Sequence, residues 1–452
     1  MDGVPSLTQC PIAPGDSYTY TWRATEYGTS WWHSHFYVQA YDGVFGGIHI
    51  NGPASANYDE DLGVLFLNDW SHITADQQEW LALWAGPPVE NTGLINGTNV
   101  YGDVGTRFET NFTSGTRYRL RLISAAANTQ FKFTIDNHTM EVIANDFVPI
   151  VPYTTDIVRM GSGQRYDVIV TADATPGNYW MRAIVQDDCS QNDNGDDIKG
   201  IVRYVEKSTG KSSNGKSTSG YSYVNGTADP TSTAWASASV DDCDDEAMAN
   251  LVPYVAIAAS DRPENETDFT LNLFSGPNGA HLWEMGDTTF VNEWDYPTLL
   301  QIYEQNNTWS SSQNPQRYPT KGTWAYWILQ TVIGQPHPMH LHGHDFWILA
   351  QETGTFNAST ANYTLVNAPR RDTVMVPGNG YVVIAFYVSN PGVWLMHCHI
   401  AWHTVEGLAV QIIEMESEIP QLIDPDVLES TCAGWDKYVQ ATNLSQGLDA
   451  GI

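Results

Sequence analysis

Apolar and polar residues alternate along many short stretches of this chain, at the period of two that an extended strand imposes. Residues 16–24 alternate in this way, 31–36 follow a glycine turn as another strand, and 44–50 form a third that ends at Asn51-Gly52-Pro53. A second series starts near Leu62 and includes 117–123, 131–135, 140–144 and 166–170, spaced by turn residues. A third runs from about Met248 to Glu414 and carries 324–329, 342–350, 381–387 and two apolar runs, 394–396 and 408–413, separated by a short connection. Brief strands at this spacing predict an all-β chain of consecutive Greek-key β-sandwiches. The first series supplies only half a sandwich, so a preceding portion is expected. Residues 207–220 are Lys, Ser, Thr, Asn and Gly throughout. They have no apolar area to bury and predict a flexible linker.

Composition sharpens this picture. The chain has 452 residues, enough for two to four domains, and its abundant Trp (17) and Tyr (23) with 37 Gly and 23 Pro suit a loop-rich β protein. No apolar run approaches the length that spans a bilayer. Twenty Lys and Arg against 52 Asp and Glu leave a net charge of −32. A field of that sign disfavours nucleic acid and anionic membranes, and fits a mildly acidic medium. Nine Asn-X-Ser/Thr triplets and five cysteines point to an oxidising, secretory route and an extracellular protein. The opening Met1-Asp2-Gly3-Val4-Pro5 is turn chemistry and not a signal peptide. Residues upstream of it are therefore expected.

The chemistry concentrates in His397-Cys398-His399-Ile400-Ala401-Trp402-His403. On a strand, Cys398 faces one way and His397 and His399 the other. One segment would then serve two metal sites back to back. A soft thiolate with imidazoles suits copper or zinc, and a His2Cys set with a weak axial position is the blue-copper pattern. A buried free cysteine beside half-satisfied histidines is the alternative, but each such histidine would need a partner. His337-Pro338-Met339-His340-Leu341-His342-Gly343-His344 places His340 and His342 on one strand face, sets His337 apart, and leaves His344 as a packed or supporting residue. His33-Ser34-His35 is a third pair, weak alone but flanked by Trp31, Trp32 and Phe36. These clusters hold nine of the 13 histidines. Zinc does not readily explain three dense clusters with one thiolate, since structural zinc sites take several Cys or one compact tetrad.

These three motifs resemble three of the four copper signatures of the multicopper oxidases. The wording of 27–33 and of Cys10-Pro11-Ile12-Ala13-Pro14-Gly15 is similar to that of ascomycete-type fungal laccases. The resemblance covers essentially the whole chain. It implies cupredoxin domains: the later part of a first at 1–55, a second at 60–206, a linker at 207–247, a third at 248–418 and a tail at 419–452. It implies a type-1 copper on His337, Cys398 and His403, with non-ligating Leu408 at the axial position and hence a relatively high reduction potential. It implies His340 on a type-2 copper and His33, His35, His342, His397 and His399 on a type-3 pair, four copper ions in the complete enzyme. The family's first signature, His-Trp-His-Gly, normally precedes the Asp-Gly-Val-Pro seen at 2–5. Without those two ligands the chain as given is expected to build an incomplete cluster, and truncation is the expectation. The resemblance pairs Cys10 with Cys432 and Cys189 with Cys243, where sequence alone allows three pairings. The end, Asp449-Ala450-Gly451-Ile452, resembles the tail that enters the cluster channel in ascomycete laccases, with Ala450 in place of the usual Ser. Where these laccases carry an acidic residue that takes the phenolic proton, this chain has Asn128, which cannot act as a base.

The expected function is thus a laccase-like copper-dependent oxidoreductase. A phenol or aromatic amine is oxidised near His403, electrons cross Cys398 to His397 and His399, and O2 is reduced to water. The protein is expected to act as a monomer, with no nucleic-acid or membrane partner. Other readings are a pigment-pathway or ascorbate-oxidase-like enzyme, or a copper-binding protein without oxidase activity.

Overall fold

The structure is a computed structural model that describes residues 2–211, 217–259, 266–306, 308–313 and 315–446; of 207–211 and 217–220 it describes the backbone alone. Asn265 and Asn307, each one residue of a sequon, and the tail at 449–452 lie outside the described residues. Among the described residues no helix is long and apolar enough to cross a membrane.

The first block forms a two-stranded antiparallel sheet, Gly28–His33 on Phe45–Ile50, with His33 opposite Phe45. Residues 16–24, which alternate like a strand, join no ladder and are mostly exposed. Alternation marks an extended conformation, but a strand also needs a partner edge, and no described strand supplies one.

The second block is a sandwich of two six-stranded sheets. Arg117–Ser124 and Arg165–Thr171 lie central in one, and Phe131–Ile135 and Asn178–Val185 in the other. Their inward residues, among them Leu122, Val168, Phe133 and Met181, form one core. The Lys199–Lys211 strand pairs antiparallel with Ser217–Tyr223, so most of the expected linker at 207–220 is a hairpin at backbone level. Ladder hydrogen bonds satisfy a polar backbone without any apolar face, which hydrophobic pattern does not report. Residues 251–254 run along this second sandwich, with Leu251 in its core and Val151 N–H donating to Val252 O.

The third block pairs a six-stranded sheet with a five-stranded one. In the five-stranded sheet, His337–Leu341 lies between Thr373–Val376 and Gly392–Cys398, and Ala409–Glu414 follows on the far side of the latter. Met339, Met396, Val410 and Trp327 meet in its core with Cys398 and Leu408. The short connection between the last two strands contains a helix, Ala401–Val405. Buried ion pairs clamp this sandwich to the second. Arg165 holds Asp372 through both guanidinium arms at 2.6 Å, and Arg371 donates to Asp146 at 3.1 Å.

The Pro425–Thr442 helix starts at an Asp424 cap that accepts from Val427 N–H. The Cys10–Cys432 disulfide ties it to the first block, and Cys189–Cys243 closes a second loop, both as the resemblance pairs them. Cys398 is the free cysteine among the described residues.

Candidate metal centres

Strand register builds the two centres. Met339 pairs with Cys398 and His340 with His397 across the antiparallel ladder. Alternation therefore sends His340 and His397 to one side of the sheet and Cys398 to the other.

On the sulfur side, Cys398 Sγ lies 3.9 Å from His337 Nδ1 and 3.6 Å from His403 Nδ1, and the two nitrogens are 3.2 Å apart. Donors held at about 2.0 Å (N) and 2.3 Å (S) around one trigonal ion would stand roughly 3.5–3.7 Å apart, so the triangle fits a single metal. All three residues are buried. The short helix turns His403 back over the thiol, and Leu408 N–H donates to His403 O at 2.8 Å. Thr404 Oγ1 bonds the Cys398 carbonyl. Gly407 sits at φ +112°, where an added Cβ would stand 2.3 Å from Thr289 Cγ2 and 2.8 Å from the Trp283 carbonyl. Leu408 is fully buried in the same core and offers no donor atom. Burial lowers His337 to about 3 and holds His403 well below the usual imidazole range, while it raises the Cys398 thiol.

On the opposite side six imidazoles converge. His33 ends the first sheet's Gly28–His33 strand and His35 follows it; their rings lie 5.8 Å from His399 and 5.0 Å from His342 respectively. His340 is 4.9 Å from His342 and 5.6 Å from His397, centroid to centroid. Nδ1 of His33, His340 and His397 meets the backbone carbonyl of Ser34, Asp372 and Cys398 at 2.7–2.9 Å. Since a carbonyl only accepts, each Nδ1 carries the proton and each Nε2 keeps a lone pair. His342 Nδ1 is held the same way by the Asp2 carboxylate at 2.9 Å. His342 Nε2 and His397 Nε2 then face each other 3.3 Å apart, two lone pairs with no proton between them. Neither nitrogen of His35 and not Nδ1 of His399 has a partner among the described residues. Buried imidazoles in that state are costly unless a cation joins them. Burial, reinforced by the neighbouring rings, holds His35, His397 and His399 well below the usual range, and burial lowers His33 to about 4. Neutral imidazoles aimed inward and fixed by outer hydrogen bonds are what copper requires.

His344 belongs to neither centre. Its Nε2 meets Glu414 Oε2 at 2.6 Å, beside Phe386 and Trp394. Asn128 lies on the turn at 127–129, whose three N–H groups converge on the Asp69 carboxylate at 2.8–2.9 Å. That turn touches the His403 helix, because Ala401 N–H donates to Ala127 O. Spacing did not reveal three further participants: Asp2; Gly163, against whose position the His399 ring packs; and Trp283, packed at a tilt of 32° on His403 with centroids 4.0 Å apart.

Multicopper oxidase profiles match residues 1–55, 61–207 and 277–418. The chain belongs to the multicopper oxidase family. It is 46% identical to Laccase-1 of Botryotinia fuckeliana over 459 residues, covering 100% of this chain and 77% of that protein. Laccase-2 of the same organism is 43% identical, with 100% and 76% covered. The solved laccase structure from Botrytis aclada superposes with a TM-score of 0.90 at 42% identity, covering 99% of this chain and 81% of that one. The protein is a laccase-like, copper-dependent oxidoreductase built of cupredoxin-type β-sandwiches, as the motifs led us to expect.

Proposed function

We propose that this multicopper oxidase removes single electrons from phenols or aromatic amines and passes them to O2, as an extracellular enzyme with cupredoxin domains at 1–55, 60–206 and 248–418. His337, Cys398 and His403 would hold a type-1 copper. His340 would serve a type-2 copper, and His33, His35, His342, His397 and His399 a type-3 pair, for four ions in the complete enzyme. Copper bound in these places would supply one-electron acceptance at the thiolate and multi-electron O2 reduction at the histidine cluster.

The protein's own part is placement. Trp283 packs its ring on His403, so an aromatic donor meets a rigid, desolvated edge. Cys398 is joined to His397 by a single peptide unit, the shortest covalent route between the two centres. The carbonyls of Ser34, Asp372 and Cys398 hold the Nδ1 protons and keep each Nε2 available. Separating the donor side from the O2 side keeps reactive oxygen chemistry away from the aromatic radical.

The observation that carries this reading is the Cys398–His337–His403 triangle backed directly by the His342–His397 pair. Anaerobic addition of a phenol to the copper-loaded protein should bleach its thiolate-to-copper colour, and air should restore it. Colour that persists with phenol, or binding of zinc in place of copper, would overturn the assignment.

A further inference from the structure

Besides His344, four histidines lie outside the two centres: His49, His72, His138 and His281. Three have local roles. His49 Nε2 meets Arg121, His72 Nδ1 meets Asn91, and His138 is bound at both nitrogens by Asp136 O and Tyr204 Oη. His281 differs. It begins the His281–Met285 strand and shares a strand face with Trp283, the residue packed on His403. Two residues along a strand is roughly 7 Å, so His281 is one same-face position away from the ring that covers the copper ligand. His281 is half-buried, and its Nδ1 lies 3.2 Å from Ala82 O on the Ala75–Ala85 helix. A carbonyl only accepts, so Nδ1 is the protonated nitrogen and Nε2 keeps its lone pair.

Phenol oxidation needs such a group, because ArOH gives a neutral radical only by losing a proton with its electron. The carboxamide of Asn128 cannot take that proton. The other titratable groups on the elements packed here are less suited. Glu79 on the Ala75–Ala85 helix is buried and accepts from Tyr37 Oη at 2.6 Å. Glu406, just beyond the His403 helix, is buried and pushed up to about 9, by burial first and Glu79 second. His403 is committed to the copper triangle. On the strand itself Glu284 points to the opposite face, and Asp76 is on the exposed side of the neighbouring helix.

We propose that His281 is the general base for phenolic donors: Nε2 accepts the phenolic proton as the O–H bond breaks, while the electron leaves toward His403. The products are a phenoxyl radical, an imidazolium at residue 281 and a reduced centre that O2 reoxidises in the reaction proposed above. Bulk water then takes the proton from half-exposed His281. This rests on the laccase reading above.

The test compares a phenol with ferrocyanide, which loses an electron and no proton, on copper-loaded protein. In His281→Asn the amide can still donate to Ala82 O but offers no base. The phenol-to-ferrocyanide ratio of kcat/KM should fall about 100-fold, within the range for a positioned base, and should lose its rise with pH. His281→Phe should give the same fall. A nitrophenol too electron-poor to be oxidised gives a readout independent of turnover. Bound to the wild-type protein it should show phenolate absorption, and this should be absent in both variants. An unchanged ratio in His281→Asn, or phenolate absorption that survives there and vanishes in Glu79→Gln, would overturn the proposal. Absence of ferrocyanide oxidation in the wild type would instead count against the laccase reading itself.

Discussion

Cys398 Sγ and the His397 imidazole leave neighbouring positions of one strand on opposite sides of the sheet, the first 3.6 Å from His403 Nδ1 and the second 3.3 Å from His342 Nε2. Two donor clusters of different chemistry thus share one peptide unit. Strand alternation alone enforces this, so changes on one side of the sheet should be readable separately from changes on the other.

Leu408→Met tests the sulfur side. Leu408 is fully buried beside the Cys398 triangle and supplies no donor. A thioether there would favour the oxidised ion, so redox titration should show a lower potential for copper held by the Cys398 triangle. Leucine-to-methionine is close to volume-conserving, and the stability cost should stay below about 1.5 kcal/mol. An unchanged or higher potential would mean that residue 408 does not face the metal.

Gly163→Ala tests the histidine side. Gly163 sits at φ +83°, and an added Cβ would come within 2.5 Å of the His399 ring. Both the backbone region and the contact penalise a side chain, for a cost of roughly 1–3 kcal/mol. The relief open to the structure is displacement of His399. Metal analysis should show less copper bound, while the thiolate-to-copper colour remains. Full copper occupancy would show that the ring position is not what holds the metal.

Both centres were legible in the sequence because strand alternation translates spacing directly into facing, and the 397–403 motif needed nothing else. What spacing could not supply is contact between distant segments. Asp2 on His342, Gly163 against His399 and Trp283 on His403 depend on how the sandwiches pack together. Local pattern also misread two segments. Residues 16–24 alternate without a partner edge, and 207–211 pair with 217–221 as a ladder. The expected short connection after Cys398 closes into one helical turn that swings His403 onto the sulfur.

The copper-free protein should weaken in acid. Burial lowers His33 to about 4 and His337 to about 3, from an ordinary value near 6.5. Between those limits the unfolded chain binds protons that the folded one refuses. By linkage, stability is full above about pH 6.5 and falls as pH drops toward 4 and then 3. Denaturant melts across that window should show the loss, and copper should suppress it because the metal competes with protons for the same nitrogens. A copper-free protein equally stable at both ends would contradict the neutral, inward-facing imidazoles.

Glu90 should act with the opposite sign. It is buried, Gln78 Nε2 reaches both its oxygens at 2.8–2.9 Å, and it carries no cationic partner among the described residues. Burial first, then the nearby Asp69 charge, raises it to about 8. The folded state therefore keeps a proton that the unfolded state releases from about pH 4.5 upward. Stability from this residue is full below pH 4.5 and is lost progressively as pH climbs through 8. Glu90→Gln keeps the shape and removes the charge, so the variant should gain stability over wild type as pH rises and match it near pH 4.5. Because Asp69 also anchors the turn at 127–129 beside the His403 helix, easing this repulsion should leave that turn in place. Melting temperatures measured from pH 4.5 to 9 would check this, and a difference between the two proteins that does not widen with pH would refute it.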